Sequence, residues 1–311
     1  MVLDCTIRDG GLVNNHQFED NFVKAVYECC IATGTDVMEI GYKNSDKIVS
    51  PNGMGAWRYC HEDDVRRIVG ENPSSLLLAC MVDAGKSDWK NDILPKEKSP
   101  IDVIRVAFYS YQLEEAVAMI QDAHDKGYEV SANLMAVTAV AEPELDHVLD
   151  TLIKTPTTTV VVVDSFGSLA PEQSAYLTEK YLKFCEPAGK EVGMHAHNNQ
   201  QLAFANTIEA IRRGATRVDA TLAGLGRGAG NCPMELLIGY LKNPKFNHRA
   251  VFECLENHVQ PLRKQIEWGP YPEFMITGLF NQHPRSAIAA REGEKRDHYA
   301  SFYDELAATA K

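Results

Sequence analysis

Val103-Ile104-Arg105-Val106-Ala107, followed by Leu113–Lys126, Gly127 and Glu129–Leu134, is the stretch that decides the fold. The first five residues are mostly branched aliphatics and read as a strand. Leu113–Lys126 spaces its apolar residues with helical periodicity, and Gly127 supplies the stop that a helix C-terminus prefers. Glu129–Leu134 then reads as a second strand. A strand, a helix and a strand in this order imply parallel pairing across a helical crossover.

The same unit recurs in both directions. The pattern predicts eight strands: Val2–Thr6, Val37–Gly41, Leu76–Val82, Val103–Ala107, Glu129–Leu134, Thr159–Val163, Glu191–His195 and Val218–Leu222. Amphipathic segments lie between them, at Asp20–Thr33, Glu62–Val69, Leu113–Lys126, Glu142–Lys154, Pro171–Cys185 and Gln200–Arg213, with glycine stops at Gly34, Gly127 and Gly214. Eight units fit a closed (β/α)8 TIM barrel, and no Gly-x-Gly-x-x-Gly follows the first strand to favour an open doubly wound sheet. The expected organisation is an α/β barrel over residues 1–241 with a short helical C-terminal extension over 242–311. In that extension Lys242–Arg249 reads as a loop, and two or three helices fill the remainder.

Composition narrows the function. The 311 residues are 45% hydrophobic and 24% charged, enough for a large core. A net charge of -12 argues against nucleic acid or an anionic membrane surface as partner. No apolar run spans a bilayer, and no signal-peptide pattern opens the chain. The eight scattered cysteines include no Cys-x-x-Cys, so buried, reduced thiols in a cytoplasmic protein are expected. A homo-oligomer is compatible with all of this.

Chemistry in such a barrel collects at the C-terminal strand ends. Arg8-Asp9 ends the first predicted strand and His195-Ala196-His197 the seventh. His-x-His on a strand puts both imidazoles on one face. Strands one and seven flank strand eight, so Asp9, His195 and His197 can converge as an N,N,O triad with open positions for substrate. These donors suit Mn²⁺ or Mg²⁺, with Co²⁺ as a third option. Arg8 would offer a fixed cation to the oxygen of an enolate, or else form a salt bridge under the rim. Glu39, Arg105, Asn133 and Ser165 are further strand-end polar residues and candidate substrate contacts. Asp164 would act as acceptor for a ligating histidine or as a helix cap. Gly224–Glu235 is a glycine-rich turn that lets backbone approach a ligand.

Thr6-Ile7-Arg8-Asp9-Gly10, Asp164-Ser165-x-Gly167, His195-Ala196-His197-Asn198 and Gly226-x-Gly228-Ala229-Gly230-Asn231-x-Pro233-x-Glu235 together resemble the metal-dependent aldolase and lyase superfamily of (β/α)8 barrels. That superfamily includes 3-hydroxy-3-methylglutaryl-CoA lyase, and the order and spacing are most similar to its 4-hydroxy-2-oxovalerate aldolase branch. The resemblance implies Asp9, His195 and His197 as metal ligands, Asn231 as an additional one, and Arg8 as the group that binds and polarises a 2-oxo function. It implies a lyase that makes or breaks a C–C bond beside a 2-oxo acid, with an oxo acid such as pyruvate and an aldehyde as small-molecule partners. Two other readings remain: a Claisen-type acyl-CoA/2-oxo acid transferase, and a degenerate barrel that binds metal and oxo acid without chemistry. The branch carries a catalytic-base histidine shortly after Arg-Asp-Gly, where this chain has Leu12. His16 and His283 are the candidates for that acid–base duty. A tyrosine of the branch corresponds to Phe280, and the divergent extension argues against a dehydrogenase partner.

Overall fold

The computed structural model describes residues 1–309. Eight parallel strands close a barrel in sequence order: β1 (Val2–Asp4), β2 (Val37–Tyr42), β3 (Leu77–Asp83), β4 (Val103–Phe108), β5 (Glu129–Leu134), β6 (Thr159–Asp164), β7 (Glu191–Ala196) and β8 (Arg217–Ala220). Closure pairs β1 with β8, Leu3 opposite Asp219 and Asp4 opposite Ala220. The (β/α)8 architecture expected from the periodicity is the one observed. Helices Asp20–Thr33, Glu62–Val69 and Pro171–Cys185 have the predicted limits.

Strand alternation explains what fills the barrel. On β4 the outward residues Ile104, Val106 and Phe108 are fully buried in the shell between sheet and helices. The inward residues of the strands form layers. Val37, Ala79 and Val103, with Leu3 and Leu77 against them, make an apolar floor. At mid-height Glu39, Arg105 and Asp219 are buried charges. Above them Tyr42, Met81, Ala107, Leu12 and Met135 make a second apolar layer. Layered filling of this kind makes a packed core rather than a pore.

Most strand and helix ends shift by a residue or a few, and three regions differ in a way that matters. β1 stops at Asp4, and Thr6–Gly10 is a helical turn rather than the end of a strand. The Asp4 carboxylate accepts the Thr6 N–H at 3.0 Å and the Thr6 hydroxyl at 2.8 Å, and this local bonding turns the chain out of the sheet. β8 likewise ends at Ala220, because Leu222–Gly224 is a tight turn. The extension holds more helix than expected. His248 starts a helical run that continues to Leu262, and Pro272–Leu279, Arg285–Glu292 and Tyr299–Thr309 follow. Phe274, Ala287, Ala290, Phe302 and Leu306 pack with Ala229 of the glycine-rich turn, which ties the extension to the barrel mouth.

All eight cysteines are buried free thiols. Among the described residues no helix is long and apolar enough to cross a membrane.

Candidate metal centre

The helical turn Thr6–Gly10 carries Arg8 and Asp9 across the barrel mouth, where they meet the end of β7. Asp9 Oδ2 lies 3.5 Å from Nε2 of His197, and the His195 and His197 rings stand edge to face, their centroids 4.9 Å apart. One ligand atom from each of Asp9, His195 and His197 falls within 4.8 Å of the others. All three residues are buried, and Nε2 of both histidines lacks a partner. Asn231 donates its amide to Asp9 Oδ2, which leaves its own Oδ1 buried and unpartnered. Two imidazole nitrogens and an amide oxygen, buried without partners beside a buried carboxylate, fit a divalent cation.

The surrounding bonds orient these donors. His195 Nδ1 is 2.9 Å from Asp219 Oδ2, and His197 Nδ1 is 2.9 Å from the Asp164 carbonyl. Both contacts place the ring proton on Nδ1 and leave Nε2 free to ligate. The Asp164 carboxylate is used elsewhere, accepting the N–H groups of Ser168 and Leu169. Of the two expected roles, Asp164 fills that of acceptor for a histidine, through its carbonyl; it does not cap the next helix, which starts at Pro171 behind Ala170. Gly226 has no alternative at its position, since a Cβ there would overlap the Asn231 amide and the Asp9 carboxylate.

Cys5, His195 and Asp219 also lie close enough to share an ion. That set is disfavoured. Burial pushes the Cys5 thiol well above its ordinary range, and Asp219 is already engaged by Arg105 Nη2 at 2.6 Å.

Electrostatics at the mouth hang on one network. Arg8 donates from Nε to Glu39 at 2.7 Å and from Nη1 to Asp9 at 2.8 Å, and its Nη2 is buried without a partner. Arg105 bridges Glu39 at 2.9 Å and Asp219. Burial opposes ionisation of Asp9, yet Arg8 and then His197 hold its carboxyl well below the usual range. Burial likewise opposes ionisation of Asp219, and Arg105 outweighs it, drawing the group down to about 2. Burial lowers His195 to about 4 despite Asp219, so its ring is neutral at pH 7. The salt bridge expected as one reading of Arg8 is present, and one donor, Nη2, is left over.

A cavity opens over this cluster, lined by Arg8, Asp9, His195 and His197 together with Asn133, Ser165, Leu12 and His283. Other expected residues lie elsewhere. Glu39 and Arg105 sit beneath the cavity, committed to the buried network. His16 does not line the cavity. It stacks edge-on against Tyr42 at 5.3 Å, and Nε2 lies 3.3 Å from Arg58 Nη1. Burial and the Arg58 cation hold it down at about 3. Phe280 packs against Tyr303 inside the extension. Among the groups at or beneath the cavity that had no assigned role in the sequence reading are two charged ones, Asp219 and Arg227. Each carried a signal: Asp219 is an inward charge on a strand, and Arg227 is a lone cation in a glycine run.

A profile of the HMGL-like family matches residues 103–258. The chain is 30% identical to an oxaloacetate decarboxylase of Mycobacterium tuberculosis over 78% of its length and 70% of that protein's. It is 29% identical to a 4-hydroxy-2-oxovalerate aldolase of Thermus thermophilus, over 88% of this chain and 78% of that one. Among solved structures, an aldolase-like N-terminal domain from Bacteroides vulgatus superposes with a TM-score of 0.79 at 27% identity, covering 96% of this chain and 99% of that one. The carboxyl transferase domain of Rhizobium etli pyruvate carboxylase shares the fold, with a TM-score of 0.72 at 15% identity over 99% of this chain and 56% of that one.

Proposed function

This chain belongs to the HMGL-like family, and from that premise we propose that it is a divalent-metal-dependent carbon–carbon lyase acting on 4-hydroxy-2-oxo acids. The observation that carries this reading is the cluster of unpartnered His195 Nε2, His197 Nε2 and Asn231 Oδ1 around the buried Asp9 carboxylate, beside the free Nη2 of Arg8. These four residues would hold Mn²⁺ or Mg²⁺. When bound, the ion acts as a Lewis acid on a 2-oxo acid.

The protein's own residues then do the following. Arg8 Nη2 donates to the oxo oxygen at C2 and meets the negative charge that develops there as the C3–C4 bond breaks. Glu39 and Asp9 fix the guanidinium from behind, so it need not reorganise during the reaction. Asn133 and Ser165 line the adjacent wall and fix the acid's orientation. Leu12, Met81, Ala107 and Met135 exclude water from the carbon being cleaved. The products are an oxo acid and an aldehyde. The proton of the 4-hydroxyl leaves to water at the open mouth, and water returns a proton to C3 of the enolate.

One observation favours a second reading, decarboxylation of a 2-oxo acid bearing a carboxylate on C3. Leu12 places an alkyl group in the cavity wall where the resemblance expects a base. Loss of CO₂ leaves its electron pair on C3 directly and asks no side chain to remove a proton first.

Metal analysis followed by exchange of pyruvate methyl hydrogens for deuterium in the Mn²⁺-loaded protein tests the proposal. One ion per chain and exchange without acyl-CoA support it. Metal binding with no exchange, and no cleavage of a 4-hydroxy-2-oxo acid, defeats it.

A further inference from the structure

The cavity holds a second cation whose surroundings contrast with those of Arg8. Arg227 stands in the glycine-rich turn after β8 and lines the cavity that Arg8, His195 and His197 also line. Its partners are neutral. Nη2 donates to the Ser165 carbonyl at 2.9 Å, Nε is buried with no partner, and Nη1 lies 3.2 Å from Nε2 of His283. Among the described residues no carboxylate pairs with it.

The contact with His283 is not a satisfied one. His283 Nδ1 accepts the backbone N–H of Arg285 at 3.1 Å, which puts the single proton of the neutral ring on Nε2. Burial, with Arg227 and Arg285 nearby, pushes the ring's pKa down to about 3, so the neutral form is the one present at pH 7. Two N–H groups, from Arg227 Nη1 and His283 Nε2, therefore face each other across 3.2 Å, and each lacks an acceptor. An anionic oxygen placed against both would resolve the contact and neutralise Arg227.

We propose that Arg227 and the Nε2–H of His283 form a second anion subsite, and that the substrate carries a terminal carboxylate in addition to its 2-oxo acid end. The proposal rests on the lyase reading above, which puts the 2-oxo acid end at Asp9, His195, His197 and Arg8. A carboxylate oxygen seated there accepts a charge-assisted bond from Arg227 Nη1 and a second bond from His283 Nε2–H. Arg227 and His283 line the same cavity as Arg8, His195 and His197, so both ends can belong to one molecule. His283 acts here as a donor, which accounts for a histidine on the cavity wall with no free basic nitrogen.

Two 4-hydroxy-2-oxo acids that differ only at the far end, methyl in one and carboxylate in the other, test this in the Mn²⁺-loaded protein. The wild type is expected to show the higher kcat/KM on the carboxylate. Arg227→Gln should lose about 10²-fold more on the carboxylate-ended acid than on the methyl-ended one, and Arg227→Lys should recover part of the difference. Oxalate binding, followed by calorimetry, reports the metal cluster separately and shows that each variant is folded. Equal losses on the two acids, with oxalate still bound, overturn the subsite alone. A wild-type preference for a phosphate-ended analogue over the carboxylate overturns the assigned anion. Failure of oxalate to bind the wild type overturns the underlying lyase reading.

Discussion

The two sides of the cavity balance positive charge in opposite ways. Arg8 is clamped by Asp9 and Glu39 inside a network that continues through Arg105 to Asp219. Arg227 is held by a carbonyl and faces a neutral imidazole. The difference separates two uses of a guanidinium. A cation that must stay put while charge develops is fixed by anions before the substrate arrives, at the cost of burying several charges. A cation that is to grip a charged substrate keeps its charge uncompensated until then. Variants on the two sides should therefore fail differently.

The largest effects belong to the metal cluster. His195→Ala and His197→Ala should each abolish stoichiometric metal binding and lower kcat/KM by about 10³-fold or more, roughly 4 kcal/mol. Metal analysis of the purified variants checks this, and unchanged stoichiometry in both removes the assignment. Next comes the network beneath. Glu39→Gln keeps the shape but leaves Arg8 and Arg105 without their shared anion, and breaking such buried pairing costs about 3 kcal/mol. The urea midpoint should fall accordingly. A variant as stable as wild type would show that the clamp on Arg8 is not structural.

Arg8→Lys is the sharper probe of that wall. Lysine keeps one positive charge for Asp9 and Glu39 but loses the planar fork and its free Nη2. A drop in kcat/KM of about 10²-fold, roughly 2.7 kcal/mol, is expected, larger than any accompanying loss of stability. Equal losses in the two measurements would reduce Arg8 to a salt-bridge residue.

How legible this was in the sequence differs from one part to the next. The alternation of aliphatic runs with glycine-stopped helices made the barrel readable, because backbone periodicity and helix termination are local. His195 and His197 were readable for the same reason, two residues apart on one strand. The end of β1 was not. Asp4 binding back to Thr6 is a side-chain choice that a strand-like composition conceals. Glu39 and Arg105 looked like rim residues, but barrel closure stacks their inward side chains under the cavity and commits them to each other and to Asp219. Pairing across a closed barrel depends on register and tilt, which no short window carries. Arg227 was hidden by its glycine-rich surroundings, and its meaning depends on His283, more than fifty residues away in the extension.

The smallest expected effect concerns the histidines set aside from chemistry. His283 is held at about 3, so kcat/KM should pass through pH 6.5 without the inflection of an ordinary histidine base. Stability should not be flat over the same range. His16 is buried neutral, with its pKa lowered to about 3 from an unfolded value near 6.5. Below that unfolded value the unfolded chain binds a proton that the native state refuses. The contribution is therefore intact above pH 6.5 and is lost as pH falls toward 3, by about 1 kcal/mol per pH unit. Urea midpoints of wild type and His16→Gln between pH 7.5 and 5 should converge as the pH drops, while their kcat/KM profiles keep the same shape. If His16→Gln instead changes the shape of the rate profile, His16 moves protons in the reaction, and the division drawn between the cavity and the packing behind Tyr42 is wrong.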